Sequence, residues 1–364
     1  MAGPRAKDGI LDMPAYVGGR HSIEGVAETF KMSANENPLG ASPLALAALQ
    51  KLGDPSLYPD GEALHLRTAL ADLNGLKAEQ IVCGNGSDEI LHLLAQAYLQ
   101  SGDEILHTQH AFLIYKLASR AAGAQPIEVA ETDLTANVDA LLAAVTEKTK
   151  IVFLANPNNP TGTMISAEEV ARLHAGLRSD ILLLLDGAYA EYVDPAVYPA
   201  GFDMVEAHDN VVVTRTFSKA YGLAALRLGW GYCPSAIADV LNRLRGPFNV
   251  NQLALQAGLA ALQDQAHIAE SRAHNHHWRD WLVQQIGGLG LDVRTTQANF
   301  ILVSFDSQQT AAAAEAFMCT QGVIPRGLVA YGLPTSLRLS VGTEAGNRAA
   351  VAALHAFMAR GGND

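Results

Sequence analysis

The sequence predicts an α/β protein, with a large domain built on a mostly parallel central sheet and a smaller α+β domain after it. Three observations carry this expectation. Between residues 41 and 255, short apolar runs alternate with stretches of helical periodicity. Those runs are continuously apolar rather than alternating, which suits strands buried on both faces by covering helices. From about residue 256 the pattern changes to a long helical stretch, followed by isolated strand-like runs among Ala-rich segments. A chain of 364 residues, 49% of them hydrophobic, can fill two associated cores.

Residues 1–40 are expected to form an irregular N-terminal arm, because Pro4, Pro14, Gly18, Gly19, Pro38 and Gly40 interrupt regular structure. Residues 80–83 read as a strand end. An amphipathic helix follows over 87–99, with Ile90, Leu91, Leu94 and Tyr98 on one face. Residues 151–154, 181–185 and 211–213 read as buried strands of the large domain, which is expected to span 41–255. Beyond it, a helix carrying His274, His276, His277 and Trp278 leads to a strand over 299–305 and an Ala-rich helix. A strand over 337–341 and a closing helix complete the smaller domain, expected over 256–364.

The formal net charge of −12, with no Lys/Arg-rich run, argues against nucleic acid or an anionic membrane surface as a partner. The apolar runs, 181–185 among them, are far too short to span a bilayer. No apolar secretory core is visible between Met1 and Tyr16. Cys83, Cys233 and Cys319 lie far apart and show no metal-ligand spacing, so a cytoplasmic, reducing setting is expected. His274, His276 and His277 lack the i, i+4 pairing of two ligands on one helix face. With Arg272 and Arg279 beside them they are expected to form a solvated helix face, and no metal is expected.

The strongest local signal is Thr216-Phe217-Ser218-Lys219, with Arg227 eight residues on. A lysine directly after a strand, flanked by hydroxyls and by Gly222, is not placed like a surface lysine. Such an amine suits an enzyme that holds pyridoxal phosphate (PLP) as an imine. Burial and nearby positive charge would lower its pKa for work as nucleophile and base. Thr216, Ser218 and Arg227 could hold the cofactor phosphate. The alternative is an ordinary loop lysine. Asp186 follows the run 181–185, at the strand end where α/β sheets bind ligands. It could pair with a protonated pyridine nitrogen or simply cap a helix. Tyr189, three residues on, could reach the ring's 3′ oxygen, O3′.

Residues 156–162, Asn-Pro-Asn-Asn-Pro-Thr-Gly, make a rigid turn from which Asn159 could donate its amide to O3′. A tight loop is the plain alternative. Gly84-Asn85-Gly86-Ser87-Asp88-Glu89 lies between a strand and a helix. It lacks the third glycine of a dinucleotide fingerprint, which counts against an NAD-binding oxidoreductase. It fits a phosphate held at a helix N-terminus by the N–H groups of Gly86 and Ser87, although Ser87 could instead be an N-cap. Arg338 alternates with apolar neighbours in 337–341. That pattern permits either a water-facing side chain or a bidentate fork on a substrate carboxylate. Arg326 is a second candidate for the same task.

Taken together, these residues resemble a fold-type-I PLP-dependent aminotransferase, and more closely the histidinol-phosphate aminotransferase family. The likeness runs over nearly the whole chain. It is carried by Asn35-Glu36-Asn37-Pro38-Leu39-Gly40, by Tyr58-Pro59-Asp60-Gly61, and by residues 84–89, 156–162, 216–229 and 337–342. The resemblance implies that Lys219 is the Schiff-base lysine, that Asp186 pairs with the ring nitrogen, and that Asn159 and Tyr189 bind O3′. Gly86, Ser87, Thr216, Ser218 and Arg227 would surround the phosphate, with Asp88 of the same loop among the cofactor contacts. Phe112, a tyrosine in many relatives, would stack on the ring. Arg338 would hold a carboxylate, while Tyr16 and Asn35 would lie near substrate. Tyr58 would reach the phosphate of a neighbouring subunit, because the family forms homodimers with shared sites.

The implied reaction is ping-pong transfer of an amino group between histidinol phosphate and 2-oxoglutarate, a step of histidine biosynthesis. Histidinol phosphate has no α-carboxylate, so Arg338 would meet a carboxylate in one half-reaction and a phosphate in the other. An aromatic aminotransferase acting on phenylalanine or tyrosine, or a PLP-dependent phospho-amino-acid decarboxylase, would need the same cofactor residues.

Overall fold

The structure, a computed structural model, describes residues 29–361 except Leu52, Pro199 and Ala200, together with scattered positions before residue 29. The expectation for Tyr16 lies outside the described residues. Strand β1 (Phe30–Lys31) opens the described fold. The main sheet then comprises β2 (Ile81–Gly84), β3 (Glu104–Thr108), β4 (Gln125–Val129), β5 (Thr149–Ala155), β6 (Leu182–Asp186), β7 (Val211–Thr216) and β8 (Gly229–Tyr232). Their order is β2-β8-β7-β6-β5-β3-β4. The strands from β7 to β4 run parallel, and β8 inserts antiparallel between β7 and β2.

The continuous apolar runs follow from burial on both faces of this sheet. Leu183 and Leu185 pack with Val152, Leu154, Val211 and Val213 on one side. Leu182 and Leu184 pack with Ile151, Phe153 and Val212 on the other. Each such leucine, removed from water, contributes about 1.5–3 kcal/mol. Register then decides what shares an edge. Ala155, Asp186 and Thr214 are level on β5, β6 and β7. Gly84, Gly229 and Thr216 are level on β2, β8 and β7.

A second sheet contains β9 (Asp292–Arg294), β10 (Phe300–Ser304), β12 (Arg326–Gly327) and β13 (Ser336–Ser340), all antiparallel, in the order β12-β13-β10-β9. Strand β11 (Val323–Ile324) pairs parallel with β1. The stretch read as an irregular arm therefore holds a short strand. Met32 joins Ile301, Val303, Leu337, Leu339 and Phe357 in the core of this second region. The division read at 255/256 falls inside the helix Gln252–Leu262, which packs into the core of the main sheet.

The 23-residue helix Gln265–Gly287 corrects one expectation. His274 bonds through Nε2 to the carbonyl of Gly342 at 3.0 Å, and His276 bonds to the carbonyl of Tyr192 at 2.8 Å. Both are at least half-buried, while His277 is exposed. The helix is thus a polar strut between the two regions rather than a solvated face. Side-chain periodicity could not show this, because the acceptors are backbone carbonyls of distant segments. No helix among the described residues is long and apolar enough to cross a membrane.

Candidate active site

A cavity of about 230 Å³ opens at the carboxyl edge of the main sheet, where parallel sheets place their ligand sites. Lys219, just past β7, and Asp186, the last residue of β6, both line it. Lys219 donates from Nζ to the carbonyl of Ala34 at 3.1 Å. Burial, reinforced by the nearby Arg338 charge, lowers its pKa to about 8. Asp186 accepts the Tyr115 hydroxyl at 2.7 Å on Oδ2 and the Ala188 N–H at 3.1 Å on Oδ1. Burial pushes the Asp186 carboxyl above its ordinary pKa, and the Tyr115 bond opposes that rise. Tyr189 accepts the Asn35 amide at 2.9 Å, and its ring centroid lies 5.8 Å from Lys219 Nζ. Burial pushes the Tyr189 phenol up to about 12, so it stays protonated at neutral pH.

One end of the cavity is built for an anion. Gly86 caps the helix Ser87–Tyr98 at φ 85° and ψ 163°, and no side chain caps that end. Ser87 is therefore the first helical residue and not the N-cap. The positive φ suits glycine, and a Cβ there would lie 2.7 Å from Arg227 Nη2. Ser87 and Asp88 line this end with Thr216, Ser218 and Arg227. Arg227 donates from Nη1 to Ser218 Oγ at 3.2 Å and to the Ala224 carbonyl at 3.0 Å, while Nη2 lies 3.4 Å from Asp88. Thr216 Oγ1 accepts the Ser218 N–H at 3.1 Å. An open helix terminus, hydroxyls and a guanidinium together favour a phosphate.

Arg338, in the middle of β13, is 5% exposed. It donates to Asn159 Oδ1 and, at 2.8 Å, to the Ser33 carbonyl. The water-facing alternative is excluded, because the 156–162 loop and residue 33 cover this face of the strand. Holding Asn159 by its oxygen leaves the amide nitrogen for the cavity, which Asn159 lines together with Phe112. Asn35 is buried behind the wall rather than in it. Its backbone N–H and side-chain oxygen both engage Ser340 Oγ, and its amide holds Tyr189. Arg326 is half-buried on β12 in register with Arg338; neither arginine lines the wall itself, and Arg338 stands behind it, joined to it through Asn159. Tyr58 is 80% exposed, stacks on Phe248 at 4.5 Å, and lies outside the cavity of its own chain.

The profile of the family described as aminotransferase class I and II matches residues 27–354. The chain belongs to this family. It is 52% identical over 361 residues to the histidinol-phosphate aminotransferase of Paramagnetospirillum magneticum, covering 98% of this chain and 99% of that protein. It is 51% identical over 358 residues to the histidinol-phosphate aminotransferase of Maricaulis maris, covering 98% of each. The histidinol-phosphate aminotransferase of Sinorhizobium meliloti, solved in complex with pyridoxal-5′-phosphate, has a TM-score of 0.90 at 27% identity, covering 99% of both chains. The fold is that of the fold-type-I aminotransferases, and this aminotransferase uses PLP.

The residues present fit that cofactor. Asp186 is a buried carboxylate that no cationic side chain among the described residues neutralises. A buried charge without a partner is costly, and a protonated pyridine would supply the missing cation. Sequence reasoning misses two polar members of the cavity wall. Glu36, paired with Lys31 at 2.7 Å, sits inside the 35–40 motif, where only Asn35 drew a role. Tyr115 lies three residues after Phe112, close to it at the start of a helix, and that spacing is the available signal.

Proposed function

We propose that this aminotransferase moves an amino group between histidinol phosphate (with imidazole acetol phosphate as its keto form) and glutamate (with 2-oxoglutarate), the histidinol-phosphate step of histidine biosynthesis. The observation that carries this reading is one cavity holding Lys219, Asp186 and an anion end, in a chain about half identical to two histidinol-phosphate aminotransferases over its full length.

The chemistry PLP supplies when bound is capture of an amine at its aldehyde carbon and uptake of the electron pair left when the substrate Cα loses its proton. Each residue role is our assignment. Lys219 holds the cofactor and then takes the Cα proton, a task helped by its pKa near 8. Asp186 holds the proton on the ring nitrogen. Asn159 and Tyr189 would orient the ring through its 3′ oxygen, and Phe112 would lie against a ring face. Gly86, Ser87, Asp88, Thr216, Ser218 and Arg227 would form the phosphate cradle, Gly86 through its lack of a side chain rather than its N–H, which donates to the Gly84 carbonyl at 2.8 Å. Arg338 binds the oxyanion of each substrate, carboxylate or phosphate, as a compact fork.

We further propose a homodimer. Exposed Leu57, Tyr58 and Phe248 form an aromatic and aliphatic patch that supports contact with a second copy, whose phosphate cradle Tyr58 would complete. The wide separation of Cys83, Cys233 and Cys319 along the chain, with no metal-ligand spacing among them, supports work in the cytoplasm.

Half-reaction rates across a panel of amino donors test the substrate. Histidinol phosphate should exceed phenylalanine and tyrosine by roughly 100-fold or more, the scale of losing a recognised polar group. Equal or faster turnover of phenylalanine would replace this reading with an aromatic aminotransferase. Release of carbon dioxide without consumption of 2-oxoglutarate would replace it with a decarboxylase. Size-exclusion chromatography with light scattering tests the dimer.

A further inference from the structure

Tyr115 presents a buried polar group that the roles above do not use. Its side chain is fully buried, stacked on Phe153 at 4.8 Å and 13°, and edge-on to Phe112 at 5.9 Å. Phenylalanine would satisfy that apolar packing. A hydroxyl carried into such a place is unfavourable unless it finds a partner. Its partner is Asp186 Oδ2, at 2.7 Å. The ring is fixed from three sides, by Phe153 of β5, by Phe112, and by its own helix, where Ser119 Oγ donates to the Tyr115 carbonyl.

We infer that Tyr115 is a positioning residue that holds Asp186 in one orientation and keeps its carboxylate the weaker base, so that the proton shared with the cofactor stays on the ring nitrogen. The inference rests on the role proposed for Asp186. With Ala188 N–H on Oδ1 and the phenol on Oδ2, the carboxylate cannot rotate without breaking a hydrogen bond. Each donor draws electron density from the carboxylate and lowers its affinity for a proton. The phenol is itself a permanent donor, because burial and the Asp186 charge push its pKa well above the usual value. Tyr115 also joins the residue assigned to the ring face, Phe112, to the residue assigned to the ring nitrogen. One side chain thus sets the spacing between two cofactor contacts.

The test is Tyr115→Phe, which keeps the packing and removes the hydroxyl. The reporter is PLP labelled with ¹⁵N at the ring nitrogen, bound to the protein and observed by NMR, together with the dissociation constant for PLP titrated into apo-protein. The wild type should show a protonated nitrogen. The variant should shift that signal toward the unprotonated position and bind PLP roughly tenfold more weakly, the scale of one hydrogen bond to a charged group. Its kcat should fall while KM changes little. Asp186→Asn is the companion variant. If Asp186→Asn leaves the ¹⁵N signal where the wild type has it, the role of Asp186 is wrong and the inference goes with it. If Asp186→Asn moves the signal and Tyr115→Phe does not, Tyr115 is only packing and the inference alone is overturned. A Tyr115→Phe protein with a lower melting temperature and an unmoved signal overturns it in the same way.

Discussion

The two sheets of this aminotransferase place their candidate functional side chains in opposite ways. The main parallel sheet offers them at strand ends and in the turns that follow, as with Asp186 after β6, Lys219 and Arg227 after β7, and Ser87 after β2. The antiparallel sheet offers Arg338 from mid-strand, buried by the 156–162 loop of the main-sheet region and by residue 33 after β1. A strand end in a doubly covered sheet is a ready ligand edge, so its chemistry is local. A mid-strand position is a ligand position only if something distant roofs it. The difference suggests a division of labour in which the main sheet performs the proton chemistry and the second region selects the substrate.

The division can be broken most sharply at Lys219. Lys219→Ala should lower turnover roughly 10³-fold or more, while an unreactive dicarboxylate still binds with near wild-type affinity. Loss of that affinity as well would mean that catalysis and recognition are not separable. Arg338→Leu should do the converse and raise KM for glutamate by roughly 100-fold with a much smaller change in kcat. An equal loss in both parameters would move Arg338 into the chemical machinery.

A third measurement sharpens the comparison by crossing it. Lys219 has its pKa lowered from 10.5 to about 8, by burial first and then by Arg338. Only the neutral amine attacks an aldehyde, so the rate at which apo-protein captures PLP should rise with pH and level off above about 8. In Arg338→Leu one cause of the lowering is gone, and the midpoint should move to higher pH. An unmoved midpoint would leave the two regions electrostatically independent. The smallest expected effect is that of Tyr58→Phe, which should weaken PLP binding roughly fivefold if the tyrosine hydroxyl of a second copy reaches the phosphate. No change in affinity would remove Tyr58 from the shared site.

The same contrast explains what can be read in advance. Asp186, Lys219 and the Gly86 turn are legible because an apolar run, its end and a turn residue are all local signals. The parallel sheet follows from the continuous apolar runs for the same reason. Arg338 stays open in the sequence because alternation states only which face of a strand a residue occupies. Its cover, Asn159 and Ser33, comes from remote parts of the chain. His274 and His276 mislead because their partners are backbone carbonyls, which leave no mark in a pattern of side chains. Tyr115 escapes because a tyrosine in an apolar helix face looks like core, and only the fold brings Asp186 to its hydroxyl. Ser87 is half-legible, since the neighbouring Gly86 can equally serve as the cap.

The pairing of β1 with β11 has a consequence in time as well as in space. Phe30 emerges from the ribosome early, yet its partner Val323 is made near the end of synthesis. Ala34 and Asn35, just after β1, are anchored to Lys219, Tyr189 and Ser340, so the mouth of the cavity cannot close until that last stretch arrives. The strands of the main sheet are complete by Tyr232 and the helix Gln252–Leu262 that packs into its core soon after, so that sheet is synthesised well before Val323. Completion of the cavity wall is therefore a late event, and a chain stopped short of β13 would carry Lys219 without Ser340 to anchor Asn35 beside it.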